Sequence, residues 1–152
     1  MGIVRLAGEG DRGRVVALRV LLWPESSIEE ESLQVQTLLS SGVSGMLPAA
    51  IFVAEDGDGA LIGFLEVGLR SHADGCDTAR AVGFVEGWFV DPAHRARGVG
   101  RALMRAAEAW ARARGCAEMA SDALIDNQAS QRAHQSLGFA AVDRCVHFRK
   151  AL

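Results

Sequence analysis

Apolar residues along the 152-residue chain change their spacing several times, and each change marks a structural element. Ile3 to Leu6 is a short apolar start. Val15, Leu18 and Leu22 then recur at helical intervals, and Pro24 lies just past them, where a helix must stop. Ser27 followed by Glu30 is a capping-box pattern and opens a second helix with Ile28, Val35, Leu38 and Leu39 as its apolar members. From Ala49 the texture turns β-rich. AAIFVAE, the turn DGDG at Asp56 to Gly59 and ALIGFLEVGLR together predict a hairpin. A third β-rich run, AVGFVEGWFV, covers Ala81 to Val90. Gly98 opens a strong helix through Arg114, with Leu103, Ala107, Trp110 and Ala111 on one stripe and Gly115 as its stop. CAEMAS reads as a strand, Asn127 to Ser136 as a helix and VDRCVHFRK as a terminal strand. This order predicts an α/β (α+β) fold with a single mixed, mostly antiparallel central sheet flanked by helices. With no repeat and no Pro- or Ser-rich linker, residues 1–152 read as a single domain.

Composition narrows the class. Hydrophobic residues make up 49% and charged ones 23%, a globular balance, and the formal charge of -3 argues against a nucleic-acid partner. Cys76, Cys116 and Cys145 are odd in number, widely spaced and without a CxxC, so neither a disulfide framework nor a metal site is signalled. A reducing, cytoplasmic setting fits this best. No apolar run approaches the roughly 20 residues that span a bilayer, so no membrane association is expected. The chain has no Tyr.

The most informative segment is Val90-Asp91-Pro92-Ala93-His94-Arg95-Ala96-Arg97-Gly98-Val99-Gly100-Arg101, between a strand and a helix. Glycines let the backbone turn tightly and approach a ligand, and a helix N-terminus offers unpaired N–H groups and partial positive charge to an anion. Arg95, Arg97 and Arg101 add full charges, so a polyphosphate is the natural occupant, although a glycine-containing helix start with solvated arginines has the same spelling. The segment lacks the Gly-Lys-Ser/Thr of a Walker loop and the glycine spacing of a dinucleotide fingerprint.

This segment resembles the pyrophosphate loop of the GCN5-related N-acetyltransferase superfamily, Gln/Arg-x-x-Gly-x-Gly/Ala. Downstream, Asn127-x-x-Ser130-x-x-x-His134-x-x-x-Gly138-Phe139 is similar to a second pattern of that superfamily. The resemblance implies acetyl-CoA as co-substrate and no metal. It places the cofactor against Trp88, Phe89, Val90, Arg95, Arg97, Gly98, Val99, Gly100, Arg101, Asn127, Ser130 and His134. A closer resemblance, over nearly the whole chain, is to the type I aminoglycoside 6′-N-acetyltransferases. It rests on Leu21 to Pro24, Phe84 to Val90, Ala120 to Asp122, Asp126 to Gln128, His134 to Phe139 and Asp143 to Lys150. It implies that Trp23, Glu86, Asp122 and Asp143 face a polycationic aminoglycoside and that the enzyme is a homodimer.

Acyl transfer to an amine needs a base, a polarised carbonyl and a protonated leaving thiolate. Glu86 is the candidate base, with Asp122 orienting the amino sugar and helping proton transfer. Gly87 suggests a β-bulge that would re-aim Glu86 and free backbone N–H groups around Trp88 to Val90 for the thioester oxygen. Each residue also has a structural reading: Glu86 as a core ion pair, Asp122 as a turn cap, Trp23 as a core or lid aromatic. Many superfamily members place a Tyr at the position of His134 to protonate the sulfur. Here His134 or water must serve. The rival functions are acetylation of another small amine or a peptide N-terminus, and a non-catalytic acyl-CoA-binding module.

Overall fold

The computed structural model describes residues 2–152. β1 (Ile3–Leu6) leads through a short 3-10 turn into α1 (Arg12–Leu22), which ends at Trp23, ahead of Pro24. α2 (Ile28–Ser41) begins at Ser27, whose hydroxyl accepts the Glu30 N–H at 3.1 Å, and ends at Gly42 with φ 69°. Then follow β2 (Val43–Ser44), β3 (Leu47–Glu55), β4 (Leu61–Arg70) and β5 (Val82–Val90). α3 (Val99–Ala113), β6 (Met119–Ser121) and α4 (Gln128–Ser136) complete the elements.

The strands lie in the order β1-β3-β4-β5-β6, with β2 also paired to β3. Every pairing is antiparallel except β5 with β6. The sheet separates two apolar layers. On one face α3 buries Leu103, Met104, Ala107, Trp110 and Ala111 against Leu65, Val67 and Val85. On the other, Val15, Val16, Leu18, Val35 and Leu38 of α1 and α2 meet Ile51, Val53, Phe64 and Phe89. Burying whole Leu, Val and Phe side chains contributes about 1.5–3 kcal/mol each, so these two layers dominate the fold's stability.

Two features of β5 position the site. Against β4, Glu66 pairs with Gly87 and Val67 with Val85, so Glu86 is the extra residue of a bulge, as Gly87 suggested. Against β6, the parallel pairing covers only Gly83 to Val85, opposite Met119 to Ser121. Beyond Val85 the edge of β5 turned away from β4 has no strand partner among the described residues.

The expected terminal strand does not form. Residues 140–152 make no ladder, and Val142, Val146, Phe148 and Leu152 are exposed, Phe148 to 93%. The alternating pattern is present, but residues 140–152 pair with no strand of their own chain among the described residues, and alternation alone does not make a strand.

Candidate active site

The bulge turns Glu86 and Gly87 toward the α1 side of the sheet. A Cβ on Gly87 would lie 2.6 Å from Cη2 of Trp23, so only glycine lets the indole sit there. Trp23 is fixed in turn by an edge contact with Phe64 at 6.3 Å between centroids, and the Arg19 guanidinium lies 4.8 Å from its ring. Beside them is a cavity of about 230 Å³ lined by Arg19, Trp23, Glu31, Gln34, Glu66 and Glu86. Three carboxylates face one guanidinium. Arg19, only 4% exposed, pairs with both Glu31 and Glu66 and donates to Gln34 Oε1 at 2.8 Å. Burial pushes the Glu66 carboxyl above its ordinary range, opposed by the charge of Arg19 and reinforced by Glu86 and Glu31. Such a cavity disfavours further negative charge and attracts cations.

Glu86 itself is held from its other side. Arg70, at the end of β4, donates Nε–H to Oε1 at 2.9 Å and Nη2–H to Oε2 at 2.7 Å. The Arg70 guanidinium rests 3.5 Å from the centroid of Phe84. Arg19, Glu31, Glu66, Gln34 and Arg70 were not among the residues singled out from the sequence. The available signals were an arginine at an apolar-stripe position of α1 and a glutamate inside the run FLEVGL.

Asp122 follows Ser121, the last residue of β6 and the partner of Val85, so Asp122 and Glu86 each come next after the end of the parallel ladder. It is exposed. Asp143 stands apart: it lies on the exposed C-terminal arm, where its carboxylate accepts the Arg144 N–H at 2.6 Å.

His134 is committed at both ring nitrogens. Nδ1 lies 2.7 Å from the Ser130 carbonyl oxygen, which can only accept, so Nδ1 carries the proton. In the neutral ring Nε2 therefore accepts from the Ser121 hydroxyl, 2.8 Å away. The ring is edge-packed between Trp88 and Phe139, at 5.2 and 5.3 Å between centroids. Asn127 caps α4, its Oδ1 accepting the Ser130 N–H at 3.1 Å.

The opposite corner gathers positive charge. Asp91 caps the turn Pro92–His94, and Arg95 donates Nε–H to the Val90 carbonyl at 2.8 Å. Ala96 (φ 59°) and Gly98 (φ 83°) both take left-handed backbone, so the chain curls around Arg97 before α3. Gly98 at the N-cap has no side chain to satisfy the helix, and the N–H groups of Val99, Gly100 and Arg101 are left open. Arg95, Arg97 and Arg101 are exposed around them. Trp88 packs under this start: a Cβ on Gly100 would lie 3.0 Å from its indole, and its buried Nε1–H has no partner. Phe89 is core, packed on Phe64, while Val90 closes the strand beside Arg95.

The cysteines take no part. Cys76 and Cys116 have thiols pushed up by burial, which disfavours the thiolate, and Cys145 lies on the exposed arm. No cluster that could hold a metal ion occurs among the described residues.

The chain combines a mixed sheet, a strand left unpaired beyond a bulge and an uncapped glycine-opened helix beside it, and residues 15–139 match the acetyltransferase (GNAT) family. The chain belongs to that family. Within it, the chain is 41% identical over 150 residues to the aminoglycoside N(6′)-acetyltransferase type 1 of Klebsiella aerogenes, covering 99% of this chain and 97% of that one. It is 37% identical to the protein of the same name from Stenotrophomonas maltophilia, covering 98% and 93%. Among solved structures it is similar to AAC(6′)-Iy in complex with the bisubstrate analogue CoA-S-monomethyl-acetylneamine. There the TM-score is 0.89 and the identity 33%, over 100% of this chain and 99% of that one. AAC(6′)-Ih from Acinetobacter baumannii superimposes with a TM-score of 0.88 at 31% identity, over 100% and 99%.

Proposed function

We propose that this enzyme, as a single acetyltransferase domain over residues 1–152, moves the acetyl group of acetyl-CoA to the 6′-amino group of aminoglycosides and so confers resistance to them. The observation that carries this reading is the carboxylate-rich cavity, in which Glu86 on its bulge borders Trp23, Glu31 and Glu66. A polycation is the ligand such a cavity suits. The names of the relatives, and the bisubstrate analogue bound by the solved relative, support both substrates.

The residues present fit coenzyme A. The open N–H groups of Val99, Gly100 and Arg101, with Arg95, Arg97 and Arg101, suit a pyrophosphate. Asn127, whose amide NH₂ is left over from capping, and Ser130 suit the pantetheine arm. When bound, acetyl-CoA supplies the thioester.

Glu86 takes the proton from the acceptor's ammonium, directly or through a water, and Asp122, which like Glu86 follows the end of the β5–β6 ladder, orients the amino sugar. The amine lone pair then forms the new C–N bond. Backbone N–H groups along the unpaired edge of Trp88 to Val90 stabilise the charge that develops on the carbonyl oxygen. As the C–S bond breaks, the thiolate takes a proton from water. The hydrogen-bond pattern of His134 supports water as that source, because the neutral ring already spends its one N–H on Ser130. His134 acts by holding Trp88, Ser121 and the start of α4 in register.

The proposal includes a homodimer. An arm with exposed Val142, Val146, Phe148 and Leu152, together with a β6 whose outer edge has no partner among the described residues, is suited to pair with a second copy. Asp143 rides on that arm, so its contact with an acceptor depends on where the arm docks. A cytoplasmic setting agrees with three unpaired cysteines, and no described helix is long and apolar enough to cross a membrane.

The test is release of CoA thiol by the purified protein with acetyl-CoA and kanamycin or tobramycin. The expected product carries one acetyl group, on the 6′ nitrogen by NMR. Absence of turnover with both drugs overturns the substrate reading.

A further inference from the structure

We propose that Arg70 is an internal competitor for the acceptor's ammonium: it occupies Glu86 in the free enzyme and must be displaced by a cation before Glu86 can act as a base. The inference rests on the reading of Glu86 given above.

Three observations lead to it. The Arg70 fork engages both oxygens of Glu86, at 2.9 and 2.7 Å, and a carboxylate so occupied offers its lone pairs to a guanidinium rather than to a substrate proton. Arg70 does not line the cavity formed by Arg19, Trp23, Glu31, Gln34, Glu66 and Glu86. Glu86 therefore stands between the two, with Arg70 on one side and the space for an acceptor on the other. Finally, the contact is built to open. The side chains are 45% and 30% exposed, and the Phe84 face, 3.5 Å from the guanidinium carbon, gives Arg70 a resting surface that does not depend on Glu86.

The consequence is selectivity by charge. Only a cation can replace Arg70 and leave Glu86 with a counter-charge. A sugar hydroxyl would leave the carboxylate without its ion pair. The Glu31–Arg19–Glu66 group carries one net negative charge when its members are ionised, and so favours the same exchange from behind. A partly exposed ion pair is a weak restraint, so the competition is modest, about two- to tenfold in acceptor affinity. It is also weakened by salt.

Calorimetry of tobramycin binding tests this on the intact protein at low salt. Arg70→Ala is expected to tighten binding by about two- to tenfold and to lower the KM for tobramycin, with Arg70→Lys between it and the parent. Unchanged or weaker binding by Arg70→Ala overturns the proposal. A second readout does not require turnover: the Arg70 Nε–H resonance of the free protein should be lost in Glu86→Gln and should move when tobramycin or spermidine is added. If it moves with spermidine while no aminoglycoside is acetylated, the substrate reading fails and the displacement of Arg70 stands. If neither cation moves it, the displacement is wrong whatever the substrate.

Discussion

In its proposed role Glu86 is subject to two demands: its carboxylate must stay in a half-buried strand position, and it must reach a substrate. The bulge meets the second and the ion pair with Arg70 meets the first. Glu86→Gln keeps the shape but removes the base, so kcat with an aminoglycoside should fall by at least about 10²-fold while CoA affinity is retained. A near-normal rate would remove Glu86 from the role. Asp11 illustrates the structural use of the same chemistry. Its carboxylate, 5% exposed, receives two hydrogen bonds from Arg5, at 2.7 and 2.9 Å, and one from the Gly8 N–H at 2.8 Å. The Arg5 hydrogen bonds, assisted by that N–H, hold it well below the usual carboxylate range. A carboxyl depressed in the folded state contributes stability above the unfolded-state pKa, roughly 4, and loses it as the pH falls toward the folded-state value. Urea unfolding of Asp11→Asn should therefore show a loss of about 2–3 kcal/mol at pH 7 that shrinks steadily below about pH 4. A loss independent of pH would assign the effect to packing instead.

At the scale of elements, the start of α3 joins sequence to binding. Gly98 sits at φ 83° with open space around its Cβ position, so a side chain there strains the backbone without a clash. Arg97→Ala with Gly98→Asp removes one charge and places a carboxylate where an anion is expected to lie. CoA affinity by calorimetry should drop, and unchanged affinity would refute the loop's role. This element was legible in advance because glycine spacing, arginines and a helix start are all local. The helices, the β3–β4 hairpin and the bulge at Gly87 were legible for the same reason. The Arg19–Glu31–Glu66 group was not, because it joins residues of α1, α2 and β4 whose proximity exists only after the sheet forms. Arg70 was passed over similarly: its partner is 16 residues away across a strand pair. The terminal strand was misjudged for the opposite reason, since alternation specifies a face and pleat but does not by itself pair a segment with an edge.

For the whole molecule, a charge of -3 conceals two unlike regions: an arginine corner at the start of α3 and a carboxylate cavity between α1, α2 and the sheet. Two such fields on one small protein steer an anionic and a cationic substrate to different faces of one strand. The arm at 140–152 is the remaining unpartnered part, and its exposed Val146 and Phe148 need a cover. The proposed homodimer predicts that the full-length chain sediments as a dimer and that deleting residues 140–152 leaves a monomer in sedimentation velocity. A full-length chain that sediments as a monomer at micromolar concentration would contradict the homodimer.

The central claim is that this cavity selects an aminoglycoside amine for acetylation, and the most direct test is kcat/KM across a panel of acceptors. Kanamycin and tobramycin, spermidine, a free amino acid and a peptide with a free N-terminus would be compared under one set of conditions with acetyl-CoA. The account predicts the highest kcat/KM for the aminoglycosides, with the acetyl group on the 6′ nitrogen. A higher value for spermidine or the peptide, or acetylation of the drugs at another amine, would contradict it.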